Sequence, residues 1–504
     1  MTTIQYLSLT KFERFLVNFG NFFKGIGRGF VNFFKGIPNK LLRFWHKITS
    51  PFDVLAQAWK KGSWGVRTNF LLMGFYQLTH HQIIRGVLYL VFEAVFVFFM
   101  ITTGVPYLAK LGNLGSFAEK SATYVDSEDI DLGGLSLKVG DNSTTILLYA
   151  IVTIILIIIF FALWFFSIRD AKSLQDNILV GRYAKDSQFF HDIVDSKYHT
   201  LLLAVPIVGL VGFTVIPVIF MIITSFTNFS DMHYYLFDWV GFENYAGFFS
   251  GSSGEGLLQI LLKVLAWTLM WALIATFTNY FLGMAVALLI NKKGIKLKKL
   301  WRTVLILTIA VPQFVSLLLI NQMLAGSGVL TNLFREWGWI SGSETPFSAK
   351  NPLLARILII VVNTWVGVPY TMLICSGILM NIPEDLYESA RIDGATPFKM
   401  YTAITLPYML FITGPYLLSQ FIGNINNFNI VYLLSQGGPS YNVGYGSVGK
   451  TDLLITWIYK MSMTDEKGYA LACALGVIVF IIIAVFSLTF YSRSNSVKNE
   501  EDFQ

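Results

Sequence analysis

Few residues in this 504-residue sequence have types and spacings that would do chemistry. Gly444-Tyr-Gly-Ser-Val-Gly449-Lys450-Thr451 satisfies GxxxxGK[ST], the pattern whose backbone N–H groups and Lys cradle nucleotide phosphates. That reading needs a buried strand before the match, and here a Gly437-Gly438-Pro439 turn signal precedes it. The span count also puts Lys450 outside the cell, away from ATP. Cys375 and Cys473 both sit in long apolar stretches, so they form neither a disulfide nor half of a zinc pattern. Glu93 is the single acid well inside an apolar run, and nothing in the sequence names its partner. With no acid/base carboxylate pair, metal cluster or nucleophile elbow, no catalytic residue and no cofactor is expected in the chain.

A second kind of signal is the amide buried in apolar sequence. Asn363-Thr-Trp365-Val-Gly367-Val-Pro369-Tyr370 and Gly423-Asn424-Ile-Asn426-Asn427-Phe428 place Asn, Gly and aromatic residues inside runs otherwise fit for lipid. Such amides are costly in hydrocarbon unless they face a cavity or another helix. Gly and Pro loosen a helix where it lines a cavity. Trp365 and Tyr370 would add ring faces and a hydroxyl to such a cavity. Interhelical packing is the other reading of the same residues.

The elements that must carry these residues follow from composition. The chain is 54% hydrophobic and 13% charged, against about 25% charged in a soluble domain, and its mean hydropathy is +0.59. It reads as an all-α polytopic membrane protein. Counting runs of about 20 apolar residues gives eight spans: 86–103, 144–168, 200–226, 264–290, 303–323, 357–380, 404–434 and 469–491. With the N-terminus in the cytosol, inside segments hold 27 of the 37 Lys and Arg, so both termini are expected inside. The net charge of +7 does not point to nucleic acid. Residues 1–83 alone hold 11 Lys/Arg against Glu13 and Asp53. There Asn21-Phe-Phe-Lys-Gly-Ile26 recurs as Asn32-Phe-Phe-Lys-Gly-Ile37, which suits an amphipathic helix lying on anionic membrane lipid.

The expected organisation is a basic arm (1–83), two membrane helices with an outer loop and a cytosolic linker (84–199), a six-helix core (200–491) and a tail (492–504). Within the core, 381–407 is a loop punctuated as two short helices. Pro383-Glu384-Asp385 suits a first helical turn, Gly394 a left-handed helix end, and Thr396-Pro397 a restart.

That loop carries a resemblance. Glu388-Ser389-Ala390, Gly394 and Ile404-Thr-Leu406-Pro407 have the spacing of the EAA loop of ATP-binding cassette importer permeases, with Ser389 in place of the first Ala. The chain is similar over roughly residues 200–491 to the larger permease subunit of maltose-type sugar importers. The resemblance implies that Glu388, Ala390, Gly394, Leu406 and Pro407 form a coupling site for a separate ATPase. It also implies that Asn363, Trp365, Gly367, Tyr370, Gln313, Gln420, Asn424 and Asn427 line a substrate path. Gln313 and Gln420 stand where the pattern has Ser, Ile309 replaces an aromatic, and Thr227–Lys263 leaves no room for the extracellular domain some members carry. The implied partners are a second permease subunit, an ATPase dimer holding ATP and Mg, an extracellular solute-binding protein and an oligosaccharide. An ion-coupled secondary transporter is the alternative; it would want internal repeats and midplane acids.

Overall fold

The computed structural model describes residues 52–115, 141–181, 195, 198–249, 257–292, 294–347, 352–441, 448–463 and 468–491. The Phe-rich repeat of the arm, the tail 492–504 and positions 444–447 of the GxxxxGK[ST] match lie outside them. The fold is all-α; among the described residues β-structure is confined to two isolated bridges, Thr227 with Trp239 and Ser440 with Gly449. The chain divides into two compact units, residues 1–109 with 148–214, and residues 110–147 with 215–504.

In the first unit, α1 (Ile83–Lys110) and α2 (Ser143–Leu179) run antiparallel. Arg85 pairs with Asp170 at one end, Phe96 stacks on Phe160 at 4.1 Å, and Tyr107 stacks on Tyr149 at 4.7 Å near the other. The short helices that precede α1, 52–61, Trp64–Thr68 and Phe75–Thr79, fold back on this pair. They bury Ala58, Val66 and Tyr76 against Ile168, Ala171 and Leu174. α3 (Leu202–Thr224) follows as the third apolar helix, with a π turn at Val211–Val215.

The second unit is built on α4 (Leu257–Asn291), α7 (Pro352–Leu379) and α10 (Leu406–Ile425). Between α4 and α7 lie α5 (Lys298–Ala310) and α6 (Gln313–Met323). Residue pairs give the directions. Thr278 meets Thr364 at 3.3 Å and Asn291 donates to Ser376 at 2.9 Å, so α4 and α7 run the same way. Tyr280 meets Thr413 at 2.8 Å and Asn424 donates to Thr276 at 3.0 Å, so α10 runs against α4. Two parallel membrane helices need one return crossing between them, which α5 and α6 supply together. They form the fifth span, bent by 85° instead of continuous over 303–323. The bend falls at Val311-Pro312, where Val311 is extended and Pro312 has no N–H to continue the ladder.

The seventh apolar run is also interrupted. α10 stops at Asn426, and Asn427 accepts a hydrogen bond from the Ile430 N–H at 3.4 Å, capping α11 (Phe428–Ser435). The segment after α11 folds onto α12 (Leu454–Met463). Asp452, fully buried, accepts from the Gly449 N–H at 2.7 Å, Thr456 Oγ1 at 2.8 Å and Lys460 Nζ at 2.6 Å. Gly437, at φ +79°, lies against the Asp452 carboxylate where a Cβ would collide. Thr451 Oγ1 donates to the Gly438 carbonyl at 2.7 Å, and Arg356 donates to the Lys450 carbonyl at 3.0 and 2.8 Å. Thr451 and the Lys450 carbonyl thus tie this segment to Gly438 and to α7. α13 (Tyr469–Tyr491) completes the unit, with Gly476 against Met221 of α3.

Candidate functional site

The candidate substrate path lies along α7 and the α10–α11 break. Asn363, Gly367 and Tyr370 recur at i, i+4 and i+7, so they share one side of α7. Asn363 is buried, and its Nδ2 has no hydrogen-bond partner. Opposite it, α4 brings Asn279, equally buried, whose Oδ1 is also unpaired. The Asn279 amide lies directly on Gly367, where any Cβ would meet it. No motif marks Asn279; the signal available was one more amide in an apolar run. Tyr370 is half exposed, with its ring 6.5 Å from Tyr416 of α10. Trp365 is also half exposed and sits two residues from Asn363, on another side of the helix.

The other residues are engaged in structure. Asn424 is buried, donates to Thr276 on α4, and offers its carbonyl to Trp271 Nε1 at 3.1 Å. Asn427 caps α11. Gln420, one turn before Asn424, and Gln313, the first residue of α6, are half-buried. The structure therefore sets Asn279 against Gly367 on the side of α7 that also carries Asn363 and Tyr370, and gives Asn424 and Asn427 packing and capping roles.

The loop after α7 has the two-helix form its punctuation implies. α8 (Glu384–Ile392) ends in a Schellman motif: the Gly394 N–H reaches the Arg391 carbonyl at 3.0 Å and the Ala395 N–H the Ala390 carbonyl at 2.9 Å, with Gly394 at φ +71°. Thr396 caps α9 (Pro397–Met400) by accepting from the Lys399 N–H at 3.4 Å. The Tyr387 hydroxyl meets Thr405 at 2.8 Å and ties α8 to the π turn Tyr401–Thr405 that feeds α10. Leu406 is half-buried, Pro407 exposed, and Glu388 exposed beside half-buried Ala390. Ile392 is 87% exposed and Phe398 75% exposed, an apolar pair flanking Gly394. At the C-terminal end of α4, Arg302 donates to Asn291 Oδ1 at 2.9 Å and to Ser376 at 3.2 Å, fixing α4, α5 and α7 together.

Comparison with known proteins adds to this geometry. Residues 279–497 match the family model "Binding-protein-dependent transport system inner membrane component". The chain is 31% identical over 444 residues to the maltodextrin transport system permease protein MdxF of Bacillus subtilis, a match covering 86% of this chain and 95% of that protein. It is 32% identical over 375 residues to the galactooligosaccharides transport system permease protein GanP of the same organism, covering 71% and 85%. A solved bacterial alginate ABC transporter, in complex with an alginate pentasaccharide-bound periplasmic protein, aligns at 21% identity and a TM-score of 0.49 over 62% of this chain and 98% of that one. With near-complete coverage of permeases at this identity, and with multiple apolar spans, the chain belongs to the binding-protein-dependent inner membrane components: it is a multi-pass permease of the bacterial membrane.

Proposed function

We propose that this permease carries an oligosaccharide of the maltodextrin type across the membrane as one half of a heteromeric pore, driven by ATP hydrolysis in a separate subunit. The single observation that carries the substrate class is the pair of buried amide atoms without a hydrogen-bond partner, Asn363 Nδ2 and Asn279 Oδ1, on adjoining helices. A buried amide left unpaired costs about 1–3 kcal/mol, so a site that retains a free donor and a free acceptor suits a ligand rich in hydroxyls. The relatives MdxF and GanP, named for maltodextrin and galactooligosaccharides, support the same class.

The coupling residues are Glu388, Ala390 and Gly394, with Ile392 and Phe398 as the apolar contact that a cleft in the ATPase would cover. ATP and Mg then belong to that partner. A second permease subunit completes the path, and an extracellular binding protein delivers the sugar. Both termini lie in the cytosol, on the side of the loop 381–407.

The test is uptake of labelled maltodextrin into proteoliposomes holding the assembled complex and its binding protein. Uptake should require enclosed ATP and be indifferent to proton or sodium gradients. Uptake driven by an ion gradient without ATP would establish the ion-coupled alternative.

A further inference from the structure

The segment ahead of α1 holds a polar network apart from the candidate substrate path and the loop 381–407. Between the helices Trp64–Thr68 and Phe75–Thr79 the chain turns over at Phe70–Gly74. Every backbone N–H from Phe70 to Tyr76 is bonded within the protein. Phe70 donates to the Arg67 carbonyl, Leu71 and Leu72 to that of Thr68, and Phe75 to that of Leu72. The rest go to side chains: Met73 to Glu93 Oε2 at 2.7 Å, Gly74 to Ser167 Oγ at 3.1 Å and Tyr76 to Asn69 Oδ1 at 3.1 Å. Trp164 Nε1 donates to the Phe70 carbonyl at 2.9 Å. Glu93, the lone acid inside α1, thus serves as the cap of this turn.

The level of the turn follows from its partners. Arg85 and Asp170 pair at the end of the α1–α2 hairpin, next to Ile168, where the apolar run of α2 ends. Glu93 is eight residues further along α1, and Ser167 and Trp164 are three and six residues back along α2, so at 1.5 Å per residue the turn's partners lie about 5–12 Å inside that pair. Irregular backbone at such depth is tolerated only when its polar groups are satisfied by protein, which is what these bonds accomplish. Leu71 at the tip is nevertheless 80% exposed and Leu72 45% exposed. At the mouth of the hairpin, Lys60, Lys61 and Arg67 are exposed.

We infer that residues 63–82 form a re-entrant wedge inserted in one leaflet of the bilayer. Leu71 and Leu72 contact acyl chains, and the cations at its mouth lie among anionic headgroups. Gly74 at φ +85° and Gly86 are in backbone contact, which seats the wedge on α1.

The test is spin labelling of Leu71→Cys, Leu72→Cys and Lys61→Cys in the assembled complex in anionic-lipid nanodiscs. The signal of the labelled parent, which has Cys375 and Cys473, is subtracted. Labels at positions 71 and 72 should collide with oxygen several-fold more than with a water-soluble nickel chelate, and the label at 61 should show the reverse. A tip label reached by nickel, or shielded from both reagents by another protein segment, would overturn the inference. Because position 71 alone could perturb the turn, position 72 is read independently. Glu93→Leu should lower the oxygen preference at position 72 at least two-fold; an unchanged preference would remove Glu93 from its capping role.

Discussion

At the residue scale, the amides of the membrane core divide into those that bond to a neighbouring helix and those that keep an unpaired atom. Asn424 is bonded to Thr276 across α4 and α10. Asn424→Ala should therefore lower the thermal stability of the complex by about 0.6 kcal/mol, the average for interhelical bonds in a membrane, and reduce transport only in step with that loss. Asn363→Ala removes an unbonded donor, so its melting point should be unchanged while maltodextrin uptake falls at least ten-fold. Equal thermal losses in the two variants would return Asn363 to packing. Gly367 is a packing residue of another kind, because the Asn279 amide fills the space a Cβ needs. Gly367→Ala should weaken assembly, with partial recovery in the Asn279→Ala/Gly367→Ala double variant. Sequence pattern reached Asn363, Gly367 and Asn424 as a set but had no means of sorting them. Whether an amide is bonded depends on a partner on another helix, and Asn279 carries no motif to announce it. Glu93 was likewise opaque, since its partner is a backbone N–H twenty residues earlier.

At the element scale, breaks in helices place the functional segments. Pro312 and the Asn426-Asn427 pair were visible as residues, but a count of apolar runs treats each run as one rod and passes over both interruptions. The α8–α9 loop was legible almost entirely, because capping is local chemistry: Pro383, Gly394 and Thr396 each act within a few residues of themselves. Gly394→Asp puts a side chain at φ +71°, a conformation costing an ordinary residue roughly 1–2 kcal/mol, and adds charge between Ile392 and Phe398. Uptake and ATP hydrolysis should uncouple while membrane insertion stays intact; normal uptake would withdraw the coupling role. The loop before α12 makes a pH prediction. Burial pushes the Asp452 carboxyl above its usual range, and Lys460, Gly449 and Thr456 offset part of that. A carboxyl raised in the folded state binds its proton more tightly there, so its burial destabilises the protein as pH rises through that raised value. Lys460→Met removes the countercharge and raises the carboxyl further. The variant should melt below the parent at pH 7.5 and close the gap at pH 5.5. A gap independent of pH would mean the carboxylate is not the seat of the effect.

For the whole molecule, the parallel course of α4 and α7 makes the bent α5–α6 pair a true crossing, and the proposed topology puts the loop 381–407 on the cytosolic side. A maleimide probe should label Ile392→Cys only from the cytosolic face and Trp337→Cys only from the outer face; the opposite pattern would invert the molecule and detach α8 from any cytosolic ATPase. The most direct measurement is purification of this chain from its own cells in mild detergent, with co-purifying proteins identified and ATP hydrolysis assayed as the binding protein and maltodextrin are added. An ATPase and a second permease should be recovered, with hydrolysis that rises several-fold on adding the loaded binding protein. A chain that purifies alone, or hydrolysis indifferent to the sugar and its binding protein, would contradict an ATP-driven oligosaccharide importer.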